Sequence, residues 1–115
     1  MNPAGFTYVS FAENRGELRV IRHTVVFNLK HAKGSAEEAK FLEDALVLTE
    51  IPGVKAFERL RQVSPKNDYS FGFSMEFDDR AAYDVYNAHP LHVAFVRDRW
   101  LVEVSDFMEI DYVKI

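Results

Sequence analysis

Residues 18–30, LRVIRHTVVFNLK, alternate with a period of two. Ile21, His23, Val25, Phe27 and Leu29 fall on one side of the chain, and Val20, Arg22, Thr24, Val26 and Asn28 on the other. Successive side chains of an extended chain point to opposite faces, so the pattern predicts a β-strand. One face is apolar apart from a histidine, and the other is only half polar. A strand like this needs cover on both sides.

Downstream, Ser35 stands three residues before Glu38, the spacing of a capping box that opens a helix. Phe41, Leu42, Ala45, Leu46 and Leu48 then form a broad apolar stripe, and Pro52-Gly53 ends it. Residues 54–63 (VKAFERLRQV) read as a strand of mixed polarity, and 64–68 (SPKND) as a turn. Residues 69–77, YSFGFSMEF, alternate cleanly, with Tyr69, Phe71, Phe73, Met75 and Phe77 on one face. Asp78 or Asp79 can cap a second helical segment, in which Ala82, Val85, Tyr86 and His89 share a side. Pro90 suits the first position of a further helix, because its missing N–H would be unpaired there anyway. That helix is expected to turn Val93, Val96, Trp100 and Val104 inward, and residues 106–114 (DFMEIDYVK) to form the last strand.

The order strand, helix, strand, strand, helix, strand predicts an α+β domain of the ferredoxin-like, split βαβ kind: a four-stranded antiparallel sheet with helices on one face. Its open face would carry Val20, Val26, Met108, Ile110 and Tyr112, which is too apolar to leave wet. Sheet-against-sheet homodimerisation is the economical cover. Upstream, Phe6 to Phe11 alternate in the same way and are followed by turn residues 13–17, so residues 1–18 are expected to add a strand to a domain spanning 19–115.

With 115 residues the chain has room for one domain and one modest core. Eighteen acidic residues against 14 basic ones give a net charge of −4, which disfavours a nucleic-acid binder. No cysteine is present, so disulfides, thiolate zinc sites and cysteine nucleophiles are excluded. Neither a membrane-length apolar run nor a secretory signal is visible, and a cytoplasmic location without membrane contact is the expectation. No phosphate-binding glycine loop occurs, and the histidine spacings suit no metal site, so no cofactor is expected. Ten Phe and five Tyr are the unusual feature.

Four features together resemble the stress-responsive dimeric α/β-barrel (Dabb) family. They are His23 within RHTVVFNLK, the IPGV break, a tyrosine ahead of His89-Pro90-Leu91-His92, and a terminal strand ending in DYV. The likeness runs from about residue 19 to the C-terminus. It implies a dimeric α+β barrel built from two ferredoxin-like protomers. The best-understood activity among similar proteins is a plant polyketide cyclase, which closes a ring by aldol condensation without a cofactor. Its motif places catalytic groups at His23, Tyr86 and His92, while a further histidine of that enzyme is replaced here by Phe71.

The implied chemistry is sound. An imidazole can take a proton from carbon between two carbonyls, and a tyrosine hydroxyl can support the enolate. His92, in the first turn of a helix, should be held neutral by the partial positive charge there. Phe71, Phe73, His89 and Val96 would line the ligand, provided the aromatic stripe leaves a void. His31, after the first strand, reads as a solvated loop residue. A small-molecule enzyme or binder is thus the leading reading. The alternatives are a non-catalytic dimer module in the stress response and a cofactor-free monooxygenase.

Overall fold

The alternating stretch forms β1 (Ile21–Leu29) and takes an inner place in the sheet. The computed structural model describes residues 19–115, so the strand expected at Phe6–Phe11 lies outside the described residues. After β1 come α1 (Ala36–Asp44), prolonged by a tighter 3₁₀ segment at Ala45–Glu50, then β2 (Lys55–Arg61) and β3 (Phe71–Phe77). There follow α2 (Arg80–Ala88), α3 (Pro90–Phe95) and β4 (Val104–Tyr112). A π-helical turn (Val96–Trp100) and one last α-turn (Leu101–Glu103) join α3 to β4. The strands lie in the order β2-β3-β1-β4, and every pairing is antiparallel. This is the ferredoxin-like topology.

Register decides what faces the helices. Ile21, His23, Val25 and Phe27 stand opposite Phe77, Met75, Phe73 and Phe71 of β3. On β4, His23, Val25 and Phe27 stand opposite Asp111, Glu109 and Phe107. Residues directly opposite each other share a face, so these side chains form one layer under the helices. Phe27 is its centre: fully buried, with its ring 4.7 Å from that of Phe73, 4.9 Å from Trp100 and 6.0 Å from Phe41. The other face carries Val26 opposite Met108, Thr24 opposite Ile110, and Arg22 opposite Tyr112. Val20, Leu60, Met108 and Tyr112 remain exposed there.

The helix starts follow from their caps. The Ser35 hydroxyl accepts from the Glu38 N–H, and the Glu38 carboxylate accepts from the Gly34 N–H, one residue earlier than the usual box. Asp79, rather than Asp78, caps α2 by accepting from the Ala82 N–H. Pro90 opens α3 as expected, with His89 as its cap. Gly53 has φ near +93°, a conformation that favours glycine, and lets the chain reverse into β2 beside Ala82.

Several helical positions depart from expectation. Val85 and Val93 are exposed, and the inward residues are Tyr83, Tyr86, Phe95 and Trp100. In α2 the buried pair sits three residues apart, Tyr83 and Tyr86, which leaves Val85 off the stripe. In the last helical stretch the π turn inserts a residue, so Phe95 and Trp100 share a face five apart. β4 begins at Val104 rather than at residue 106, because the Lys30 N–H already bonds the Glu103 carbonyl at 2.8 Å. β2 is a bulged edge strand: its register shifts between Lys55 and Glu58, with Ala56 at φ 52°. Among the described residues, no helix is long and apolar enough to cross a membrane.

Candidate functional site

A cavity of about 220 Å³ opens between the sheet and the helical layer. Its floor is built by buried residues of the inner strands, His23, Val25, Phe73 and Met75. Tyr86, Phe95 and Trp100 form the wall, and Asn87, Leu101, Phe107 and Glu109 stand exposed at the mouth. The volume is below the roughly 300–1,000 Å³ of common ligand pockets. An apolar cavity of about 150 Å³ already admits benzene, so this one suits a single substituted ring or a short chain.

Three polar groups expected from the sequence meet in this cavity. His23, His92 and Tyr86 all line it. The ring centroids of Tyr86 and His92 are 4.4 Å apart, and those of His23 and Tyr86 6.1 Å. Phe73 and Val96 also line the cavity, as expected of ligand-contacting residues. Phe71 and His89 do not. Phe71 packs one rung further along the sheet against Phe27, under the Arg61 guanidinium. The His89 ring turns back on its own helix, where Nδ1 accepts from the Leu91 N–H at 3.1 Å.

Each imidazole has its Nδ1 committed. In His92, Nδ1 lies 3.1 Å from the Asn87 carbonyl, which can only accept, so Nδ1 carries the hydrogen. In His23, Nδ1 lies 2.6 Å from Asp111 Oδ1 and donates to that carboxylate. The Tyr83 hydroxyl donates to Asp111 Oδ2 at 2.8 Å and sits 2.9 Å from the same Nδ1. A closed triangle of Asp111, Tyr83 and His23 therefore fixes the ring. Among the described residues no protein group bonds Nε2 of either histidine, and in the neutral ring it holds a lone pair.

Burial holds the His92 imidazole below its ordinary pKa, and the neighbouring His23 adds to the effect against opposing contributions from the Asn87 carbonyl and Glu109. Burial also pushes the Tyr86 phenol well above the tyrosine range, with the Glu109 carboxylate adding to it. Tyr86 thus stays protonated as a hydrogen-bond donor. Its hydroxyl has no protein partner among the described residues, although the residue is only 2% exposed. A buried hydroxyl in that position is free for whatever fills the cavity. Burial and the bond to Asp111 raise the Tyr83 phenol in the same direction.

Sequence reading missed Tyr83, Asp111 and Glu109. Tyr83 stands one helical turn before Tyr86, and that spacing was the available signal. Asp111 and Glu109 share a strand parity with Phe107, but only the β1–β4 register brings them beside His23 and Val25. His31 is not a solvated loop residue: its Nε2 meets Glu103 Oε1 at 2.7 Å and its side chain is three-quarters covered. Arg99 joins the same Glu103 carboxylate to Asp44, which ties α1 to the π turn.

A solved protein of Mesorhizobium loti, described as a Dabb family protein with a ferredoxin-like fold, is 65% identical to the chain. It matches with a TM-score of 0.84 over 84% of this chain and 98% of the other. A dimeric ferredoxin-like protein of unknown function from Bacteroides fragilis matches at 21% identity and TM-score 0.62, covering 83% of this chain and 96% of its own. The hydroxynitrile lyase of Passiflora edulis matches at 12% identity and TM-score 0.71, over 85% and 95% of the two chains. At that distance the last two show the fold alone. Comparison with curated proteins finds no significant match. The family model of the stress responsive A/B barrel domain matches residues 21–114, almost the whole described chain, and so this protein belongs to that family.

Proposed function

We propose that the protein binds a small, largely apolar, ketide-like carbonyl compound and catalyses proton transfer at its acidic carbon, as a cyclase or lyase that needs no cofactor. The observation carrying this reading is the convergence of His23, Tyr86 and His92 on one cavity, with both Nδ1 atoms already engaged. His92 Nε2 takes the proton from carbon, and the C–H electron pair moves onto the carbonyl oxygen. The Tyr86 hydroxyl donates to the resulting enolate. In a cyclisation the enolate carbon then attacks a second carbonyl, and the His92 imidazolium returns its proton to the new alkoxide. His23, oriented by Asp111 and Tyr83, holds the substrate from the floor. The protein acts as a homodimer, with the apolar open sheet face of one protomer covered by its partner.

Deuterium exchange into the methylene of ethyl acetoacetate, followed by proton NMR, tests the reading without knowledge of the natural substrate. Wild-type protein should exchange faster than buffer, and His92→Ala should fall to the buffer rate while keeping nearly the same melting temperature. Exchange unchanged in His92→Ala would reject the assignment, and oxygen uptake with phenols would point to a monooxygenase instead.

A further inference from the structure

The cavity has one charged wall residue that the proton-transfer scheme leaves idle. Glu109 sits on the helix-facing side of β4, opposite Val25 and between Phe107 and Asp111. It lines the mouth of the cavity. No ion pair or hydrogen bond engages its carboxylate among the described residues, whereas Glu103 on the same C-terminal stretch is held by Arg99 and His31. Among the described residues, no lysine or arginine lines the cavity. The polar atoms a ligand meets are therefore two imidazoles, a phenol, the Asn87 amide and one unpaired carboxylate.

We propose that Glu109 sets the charge class of the ligand: an uncharged molecule whose hydroxyl group donates to the Glu109 carboxylate, with carboxylates and phosphates turned away. This deepens the proposed function and rests on the same cavity. An anionic ligand would meet the Glu109 charge at the mouth with no lysine or arginine among the described lining residues to offset it. A phenol or enol meets an acceptor instead, and a hydrogen bond to a charged group is stronger than one between neutral partners. Glu109 stands on the face of β4 opposite the one that the proposed dimer would cover.

Three probes with one ring and one variable group separate these effects: 3-methylphenol, 3-methylanisole and 3-methylbenzoate. The chain has a single tryptophan, Trp100, which lines the cavity, so its indole N–H resonance in ¹⁵N-labelled protein reads occupancy directly. The phenol should bind tightest, the anisole several-fold weaker for want of a donor, and the benzoate weaker than the phenol by roughly tenfold through like-charge repulsion. In Glu109→Gln the benzoate should gain most of that factor back. Equal binding of phenol and benzoate by wild-type protein, an unchanged ratio in Glu109→Gln, or no response of the indole to any probe would overturn the proposal. The ethyl acetoacetate exchange is independent of this order. Exchange without the order defeats the Glu109 assignment alone, and the order without exchange defeats the catalytic reading alone.

Discussion

Burial disfavours the His92 imidazolium, so the folded chain releases this proton at a lower pH than the unfolded one does. The acid limb of the exchange rate should accordingly lie below the ordinary imidazole value of about 6.5. Stability carries the same sign. Between the two pKa values the unfolded chain holds a proton that the folded chain lacks, so stability should fall as pH drops through that window and level off beneath it. Urea titrations at pH 7.5 and 5.5 should show the loss in wild-type protein and a smaller one in His92→Asn. A second residue-scale prediction concerns Tyr83, whose hydroxyl orients Asp111. Tyr83→Phe should cost about 1.5–3 kcal/mol in urea denaturation, the worth of a hydrogen bond to a charged group. It should also reduce exchange by loosening His23, and Asp111→Ala should mimic that catalytic loss.

Among the elements, α1 is short and depends on its cap. The Ser35 hydroxyl satisfies the Glu38 N–H that the first turn leaves open, and the Glu38 carboxylate holds the Gly34 N–H just ahead of the cap. Ser35→Ala should therefore cost about 1 kcal/mol, measured as a shift of the urea midpoint with an unchanged slope. The π turn contributes Val96 and Trp100 to the cavity. It brings Phe95 and Trp100 to one face, where Trp100 meets Phe27 at 4.9 Å and Phe107 edge-on at 5.5 Å. An uninterrupted α-helix would have aligned Val93, Val96 and Trp100, as their spacing suggested.

The whole molecule is held by one aromatic layer. Phe27→Ala would open a cavity at its centre and should cost about 3–5 kcal/mol, which is enough to lower the melting temperature by many degrees. The proposed homodimer would use the other side of the same strand. Val26 stands on the open face between Gly72 and Met108, away from the cavity. Val26→Lys should shift sedimentation at micromolar concentration from twice the chain mass to the mass of one chain, because an unpaired charge would be buried between the sheets. A wild-type protein sedimenting as a single chain would remove the homodimer.

The strands, the caps and the order of elements were legible because they rest on local physics. A period of two in residues 21–29 and 71–77, Ser35 three before Glu38, and Pro90 opening a helix are each decided by neighbours a few residues away. That His23, Tyr86 and His92 line one cavity was legible as well, though through the family resemblance and its motif. Tertiary structure alone decided the remainder. That Asp111 orients His23 depends on the β1–β4 register, a pairing 88 residues apart that no local pattern encodes. That Trp100 shares a face with Phe95 depends on the π turn, and that Phe73 rather than Phe71 lines the cavity depends on which rung of the sheet lies under the helices. The sequence thus supplied the candidate groups. Register and helix phase, set by the packing of the whole core, determined which of them meet.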